Sequence, residues 1–235
     1  MITKTEPFRA RRQVLLINTN TPRFPRGRME NKMHVPTAES TKQDILTFEQ
    51  ARLHRDDSAV YDREKWLYVP DYYSDYRYIL GTAGKMPLIT IGINPSTAEP
   101  DNLDNTLKSV ERIALGNGFD SFIMFNVYAQ RATNPDHMDR VFNEELHLEN
   151  MKAFRFILER CESAPAIWAA WGTIVEKRDY LKRCLRDMVT IGEEYGARWY
   201  MTGKPSVKGH PHHPLYLRRD SVIEPFDMVG YLSLI

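Results

Sequence analysis

The chain is poor in cysteine and contains no long apolar run. Its 235 residues include two cysteines, Cys161 and Cys184. A cysteine-ligated iron–sulfur cluster and an all-cysteine zinc site each need four thiolates, so both are excluded. No apolar segment reaches the roughly 18 residues that a membrane span requires. The first residues also lack the apolar core and cleavage site of a secretory signal. We therefore expect a reduced, cytoplasmic protein with no membrane partner.

Positive charge is unevenly distributed along the chain. The formal net charge is +1, but residues 1–33 carry eight Lys or Arg and only two Glu. A basic segment on a slightly acidic body favours polyanion binding, and a solvated tail is the alternative. We predict a basic N-terminal extension over residues 1–45, followed by one domain over residues 46–235.

Strands and helices alternate from residue 87 onwards. Apolar runs predict buried strands, and the segments between them predict helices. Strands that are apolar on both faces and alternate with helices indicate a parallel sheet covered on two sides. We therefore predict a three-layer α/β/α fold with a short, mostly parallel four-stranded sheet. The predicted strands are residues 88–93, 121–127, 166–171 and 198–202, and the predicted helices are residues 46–53, 106–115, 143–162 and 173–195.

Polar residues follow each predicted strand. In parallel sheets, ligands bind beyond the carboxyl ends of the strands. This rule brings residues 94–97, 126–133, 171–173 and 202–217 to one rim of the domain. Asn94 follows the first strand within Gly92-Ile93-Asn94-Pro95-Ser96. This segment either presents an amide for chemistry or forms a strand-ending turn, a common role for Asn and Pro.

The order of these motifs resembles that of the uracil-DNA glycosylase superfamily. The first motif begins Gly-Ile-Asn-Pro, as in the mismatch-specific and thymine glycosylase branch. Asn126 then ends the second strand, Trp171-Gly172 ends the third, and a His-Pro-x-x-Leu motif follows at residues 213–217. Residues 76–217 also resemble an uncharacterised bacterial and phage domain family marked by NPSTA, FN-x-YA-x-RAT-x-P and HPLY. That second resemblance implies no activity.

The glycosylase resemblance implies a role for each motif. Asn94 would hold the attacking water, and His213 would donate a hydrogen bond to the base O2 as negative charge develops there. Asn126 would read the Watson–Crick edge of the base. The wedge that fills the gap left by a flipped nucleotide would be formed by Leu215, Tyr216 and Leu217.

Ser96 departs from the pattern of the strict uracil enzymes, which have tyrosine at this position. A serine leaves room at the pyrimidine C5 position, so a base with a C5 substituent should fit. Asp104 lies on the same predicted rim and could bind such a substituent, and Arg131 and Thr133 could bind phosphate or a base substituent. Asp104 is equally explained as a helix cap, and Arg131 and Thr133 as loop-capping residues.

Basic residues and two further histidines flank the His-Pro motif. We predict phosphate contacts for Lys204, Lys208, Arg218 and Arg219, with ordinary surface charge as the alternative. His210 and His212 are weaker catalytic candidates than His213. The three histidines could instead bind a metal, but no Cys or carboxylate lies at ligand spacing.

We therefore expect a monomeric, monofunctional DNA glycosylase with DNA as its partner and with no metal or cofactor. It would flip out a C5-modified pyrimidine, such as a hydroxymethylated or glucosylated phage base, and leave an abasic site. No lysine occupies the nucleophile position, so no Schiff-base step is expected. The alternatives are a non-catalytic nucleic-acid-binding module of the same fold and a hydrolase of free nucleosides or nucleotides.

Overall fold

A single mixed β-sheet organises the protein. The structure is a computed structural model that describes residues 33–37 and 45–235. Most of the predicted basic extension lies outside these ranges. Within them, seven strands form one sheet: β1 (Trp66–Val69), β2 (Ile79–Thr82), β3 (Pro87–Gly92), β4 (Ser121–Asn126), β5 (Ala166–Ala169), β6 (Arg198–Thr202) and β7 (Ile223–Pro225).

The strands lie side by side in the order β1-β2-β4-β3-β5-β6-β7. Neighbouring strands are parallel from β4 through β3 and β5 to β6. The strands β1, β2 and β7 extend this parallel centre with antiparallel pairings on both sides. The prediction of a short four-stranded sheet is therefore wrong, because three antiparallel strands extend the parallel centre to a seven-stranded mixed sheet. The α/β class is correct, and the four predicted strands are the parallel centre.

Five α-helices pack on the two faces of the sheet in the part of the chain that the structure describes. They are α1 (Phe48–Leu53), α2 (Asn105–Gly116), α3 (Glu144–Leu158), α4 (Asp179–Glu194) and α5 (Met228–Leu234). The predicted helix over residues 173–195 is divided, because residues 172–176 form a 3-10 helix before α4 begins. The helix α5 was not predicted.

Each face of the sheet carries its own apolar core. On one face, the buried side chains of α2 pack with Leu88, Phe122 and Trp168. On the other face, buried residues of α1, α3, α4 and α5 pack with Ile89 and Ile91. Neighbouring residues of β3 thus enter opposite cores, as the two-residue period of a strand requires.

The helix α2 shows how local sequence positions the rim. Asp104 is its N-cap, and the Asp104 side chain accepts a hydrogen bond from the Leu107 backbone N–H at 2.9 Å. Val110 and Ile113 are buried on the same side of α2 as Leu107, because residues three apart share one face of a helix. Burial of each such side chain contributes roughly 1.5–3 kcal/mol. No helix in the described ranges is long and apolar enough to cross a membrane.

Candidate functional site

Three of the predicted polar residues lie near the carboxyl ends of the parallel strands. Gly92, the last residue of β3, pairs with Asn126, the last residue of β4. A Cβ atom built on Gly92 would lie 3.2 Å from Asn126 Oδ1. One built on Gly172, just beyond β5, would lie 3.5 Å from His213 Cβ. The segment after Gly92, the residue Asn126 and the His-Pro motif thus each lie beside the end of a central strand.

The Asn94 side chain is oriented by two backbone carbonyls. Its Nδ2 group donates to Pro95 O at 3.0 Å and to Ala132 O at 2.7 Å. Both amide hydrogens are therefore used, and Oδ1 accepts no hydrogen bond from any residue that the structure describes. The half-buried Asn94 consequently joins the loop after β3 to the loop after β4 and presents a free acceptor oxygen.

Asn126 is an unpaired amide in the interior of the protein. The residue is 1% exposed, and neither Oδ1 nor Nδ2 of its side chain has a hydrogen-bond partner within the described ranges. A buried polar group left without a partner costs about 1–3 kcal/mol. This amide can therefore bind a group that supplies both a donor and an acceptor.

His213 is held in one protonation state. Its Nδ1 atom accepts a hydrogen bond from the Leu215 backbone N–H at 3.3 Å, at the start of the 3-10 turn Pro214–Tyr216. Burial lowers the pKa of His213 below its ordinary value of 6.5, and the nearby Asp104 carboxylate partly opposes this effect. The ring is therefore neutral at pH 7, and its proton lies on Nε2, which becomes a neutral donor.

The other two histidines of the motif do not share this role. His210 is buried, and its ring contacts the Tyr231 hydroxyl at 2.8 Å and Glu176 Oε1 at 3.2 Å. His212 is exposed. Within the described part of the chain, no group of three or more His, Cys, Asp or Glu side chains is placed to hold a metal ion.

Arg131 is buried beneath the rim. Its guanidinium group donates to the backbone carbonyl of Ser96, to Ala98 O at 3.3 Å and to the Tyr68 hydroxyl at 3.0 Å. The predicted base-binding arginine thus anchors the loop after β3, as the loop-capping alternative proposes.

Ser96 and Thr133 form a polar pair at the surface of the rim. Ser96 Oγ donates to Thr133 Oγ1 at 3.3 Å, and the same oxygen accepts a hydrogen bond from the His34 backbone N–H at 2.7 Å. Thr133 N–H also donates to His34 O at 2.9 Å. Residues 33–37 therefore contact this pair, although the sequence contains no pattern that predicts their position.

Sequence reasoning also missed two buried residues near the rim. Arg77 donates to Ala98 O at 3.1 Å, and burial together with Arg131 lowers the pKa of Arg77 to about 9. Asn150 of α3 donates to Asn126 O at 2.9 Å. Asn150 lies four residues after the buried Leu146 on the apolar face of α3, and a polar residue at that spacing was a usable signal. No comparable signal marks Arg77.

The predicted wedge and phosphate contacts lie on exposed loops. Leu215 and Tyr216 are 40% and 84% exposed, whereas Leu217 packs against the α2 core. Two of the four basic residues are ion-paired: Lys208 with Glu176 at 2.5 Å and Arg218 with Asp220 at 3.2 Å. The exposed Lys204 and Arg219 form no ion pair with any described residue. A separate surface cavity of about 400 Å³, lined by residues 139–144, contains none of the predicted site residues.

A family model described as "Protein of unknown function (DUF1643)" matches residues 77–215. The match covers more than half of the chain, which therefore belongs to this family. The matched span runs from Arg77 to Leu215 and includes Asn94, Asn126 and His213. No curated protein and no solved structure matches the chain.

Proposed function

We propose that this protein is a monofunctional DNA glycosylase that hydrolyses the bond between a flipped-out pyrimidine and deoxyribose. The observation that carries the proposal is the buried, unpaired amide of Asn126, which lies at the same strand ends as Asn94 and His213. A pyrimidine edge offers the acceptor and donor that this amide lacks. The motif order described above supports the same reaction.

The three side chains divide the chemistry. A water that donates to Asn94 Oδ1 attacks C1′ as the C1′–N bond breaks, and the departing base takes the bonding electron pair. The Nε2–H of His213 donates to the base oxygen on which negative charge grows. The water loses its proton to solvent, and solvent protonates the base. The products are an abasic site and a free base.

We further propose that the base carries a C5 substituent. Ser96 is small and lies 3.3 Å from Thr133 through their hydroxyl oxygens, so the rim offers space and polar groups where a tyrosine would block C5. Hydroxymethylated and glucosylated pyrimidines have the size and hydroxyl groups that such a rim would accept. Removal of such bases would act against phage that carry modified DNA.

An oligonucleotide panel tests the proposal. The panel contains uracil, a G·T mismatch, 5-hydroxymethylcytosine and its glucosylated form, and alkali-dependent strand cleavage reports abasic sites. We expect cleavage of at least one C5-substituted duplex. Asn94→Ala and His213→Ala should each lower the single-turnover rate by about 10²–10⁴-fold.

Matched variants control for nonspecific effects of these substitutions. Asn102→Ala and His137→Ala change exposed residues of the same two types and should cleave at the wild-type rate. Binding of duplex DNA without cleavage of any substrate would contradict the proposal in favour of a binding module. Cleavage of free nucleosides but of no duplex would favour a nucleoside hydrolase.

A further inference from the structure

The backbone carbonyls of the loop after β3 are bound from inside the protein. Pro95 O accepts from Ala132 N–H at 2.9 Å and from Asn94 Nδ2 at 3.0 Å. The Arg131 guanidinium group donates to Ser96 O. Together these bonds fix the orientation of the peptide planes 95–96 and 96–97.

The N–H groups of these two peptides face the other way. In a planar trans peptide the N–H lies opposite the C=O, so the N–H groups of Ser96 and Thr97 point away from the groups that hold the carbonyls. Neither N–H donates to any atom of residues 33–37 or 45–235. Both residues are partly exposed. The loop therefore presents two consecutive backbone donors without acceptors.

Two buried cations lie behind this loop. Arg77 and Arg131 are 1% and 0% exposed, and the Nε atom of each is buried without a partner among the described residues. Neither forms an ion pair with a carboxylate in that part of the chain. Buried charge is costly unless it is compensated, and its field is weakly screened in the interior.

We infer that the Ser96–Thr97 loop is a phosphate-binding site. Consecutive backbone N–H groups form concave sites for phosphate oxygens, the Thr97 hydroxyl adds a donor, and the arginines supply positive charge behind the loop. The phosphate belongs either to a phosphodiester of DNA or to a phosphomonoester of a free nucleotide. The choice of DNA rests on the proposed function, whereas the site itself does not.

Phosphate binding can be measured without any enzymatic readout. Inorganic phosphate is titrated into the full-length, ¹⁵N-labelled protein at pH 7, with sodium chloride of equal ionic strength as reference. We expect saturable shifts of the Ser96 and Thr97 amide signals in phosphate alone. If neither amide signal shifts up to millimolar phosphate, the inference is overturned.

Two variants at one position separate the N–H from the hydroxyl. Thr97→Pro deletes the N–H and should weaken phosphate binding about tenfold or more, as expected for the loss of a charge-assisted hydrogen bond. Thr97→Ala keeps the N–H and should bind more tightly than Thr97→Pro. Equal affinity of the two variants would contradict a backbone site.

The buried charge is tested independently of the backbone. Arg77→Gln should weaken phosphate binding by a similar factor. Thermal unfolding shows whether each variant is folded. Equal phosphate affinity of a folded Arg77→Gln protein would contradict a role for the Arg77 charge in this site.

Competition identifies the source of the phosphate. If duplex DNA displaces inorganic phosphate from the loop and a nucleoside 5′-monophosphate does not, the ligand is a phosphodiester. The opposite order identifies a phosphomonoester. A loop that binds phosphate in a protein that cleaves no duplex would leave this inference standing and contradict the glycosylase proposal.

Discussion

The amide of Asn94 does more than present an oxygen. Its Nδ2 group donates to two backbone carbonyls, and this pairing leaves Oδ1 as the acceptor for water. A carboxylate at this position would be the stronger activator of water in isolation. In this loop it would place one carboxylate oxygen, in the position of Nδ2, against two carbonyl oxygens.

We therefore expect Asn94→Asp to destabilise the protein by about 1–3 kcal/mol, the cost of leaving hydrogen-bonding groups unpaired. The melting temperature should fall by roughly 2–4 °C for each kcal/mol lost, and glycosylase activity should not rise. Asn102→Asp, at an exposed position, is the control and should melt at the wild-type temperature. An Asn94→Asp protein that melts at the wild-type temperature would show that these two bonds contribute little.

For Asn126 we expect a substitution to raise stability, because its side chain has no hydrogen-bond partner in the absence of a ligand. Asn126→Leu removes a buried amide of similar size and should raise stability by about 1 kcal/mol, measured as a higher midpoint of urea unfolding. The same substitution should abolish base excision. A lower midpoint would indicate that the amide is satisfied in solution, by water or otherwise.

The protonation of His213 predicts a pH-dependent term in stability. Its folded pKa lies below its ordinary value of 6.5, so between the two pKa values the unfolded chain binds a proton that the folded chain does not. Stability therefore falls as the pH drops below about 6.5. His213→Asn removes this titration, and the Asn oxygen can still accept from Leu215 N–H.

The melting temperature of His213→Asn should accordingly fall less between pH 7.5 and pH 5.5 than that of the wild type. His34, whose pKa burial also lowers, remains in both proteins and cancels in the comparison. His137→Asn changes an exposed histidine and serves as control. Equal falls in wild type and His213→Asn would refute the assignment of a neutral His213.

Single polar residues at strand ends were predictable from the sequence, whereas their buried supports were not. Asn94, Asn126 and His213 stand out because each follows an apolar strand or belongs to a short motif. Arg77 lies in a tyrosine-rich segment, and no period or motif indicates that its guanidinium group reaches Ala98 O. Only the antiparallel return of the chain through β2 places it there.

At the scale of elements, the turn after β5 lies against the loop that carries His213. Gly172 has φ +61°, and a Cβ atom there would lie 3.5 Å from His213 Cβ. Gly196 has φ +63°, and a Cβ atom there would meet nothing within 4 Å. The two glycines have the same backbone conformation in different surroundings.

Gly172→Ala and Gly196→Ala should each cost about 1–2 kcal/mol, because L-residues disfavour this conformation. Only Gly172→Ala should also lower the single-turnover rate, because a backbone shift that relieves the strain at residue 172 would displace the segment that lies against His213. Thermal unfolding and the cleavage assay on the same preparations separate the two effects. A similar loss of activity in both variants would trace the loss to stability and not to the position of His213.

Element prediction succeeded for the four strands of the parallel centre and missed the buried strand β2 and both edge strands. The strands β3 and β4 are six residues long and almost entirely buried, so their apolar runs are evident. The strand β1 has four residues of alternating burial, and β7 has three residues that are largely exposed. Edge strands of this length resemble loops in sequence, because they need only one buried face or none.

At the scale of the whole molecule, the body beyond residue 33 is slightly acidic, so the proposed DNA binding would depend on local cations. Lys204 and Arg219 have no ion-pair partner among the described residues, whereas Lys208 and Arg218 are paired with carboxylates. When a side-chain cation binds a DNA phosphate it releases counterions from the DNA, and a cation that is already paired within the protein releases fewer of them than an unpaired one.

We therefore expect Lys204→Ala and Arg219→Ala each to reduce the slope of log Kobs against log salt concentration by about 1. Lys208→Ala and Arg218→Ala, the matched controls, should change it less. Fluorescence anisotropy with one duplex between 50 and 300 mM salt measures all four. Identical slopes across the set would place the DNA on another surface.

The two edges of the sheet bear on self-association. β7 ends at Pro225, and β1 is followed directly by Pro70. Proline has no backbone N–H, so at this residue each outer strand cannot donate a hydrogen bond to a further strand. Edges of this kind disfavour the edge-to-edge pairing of two copies, which would keep the rim of each copy open to the long polymer proposed as its substrate.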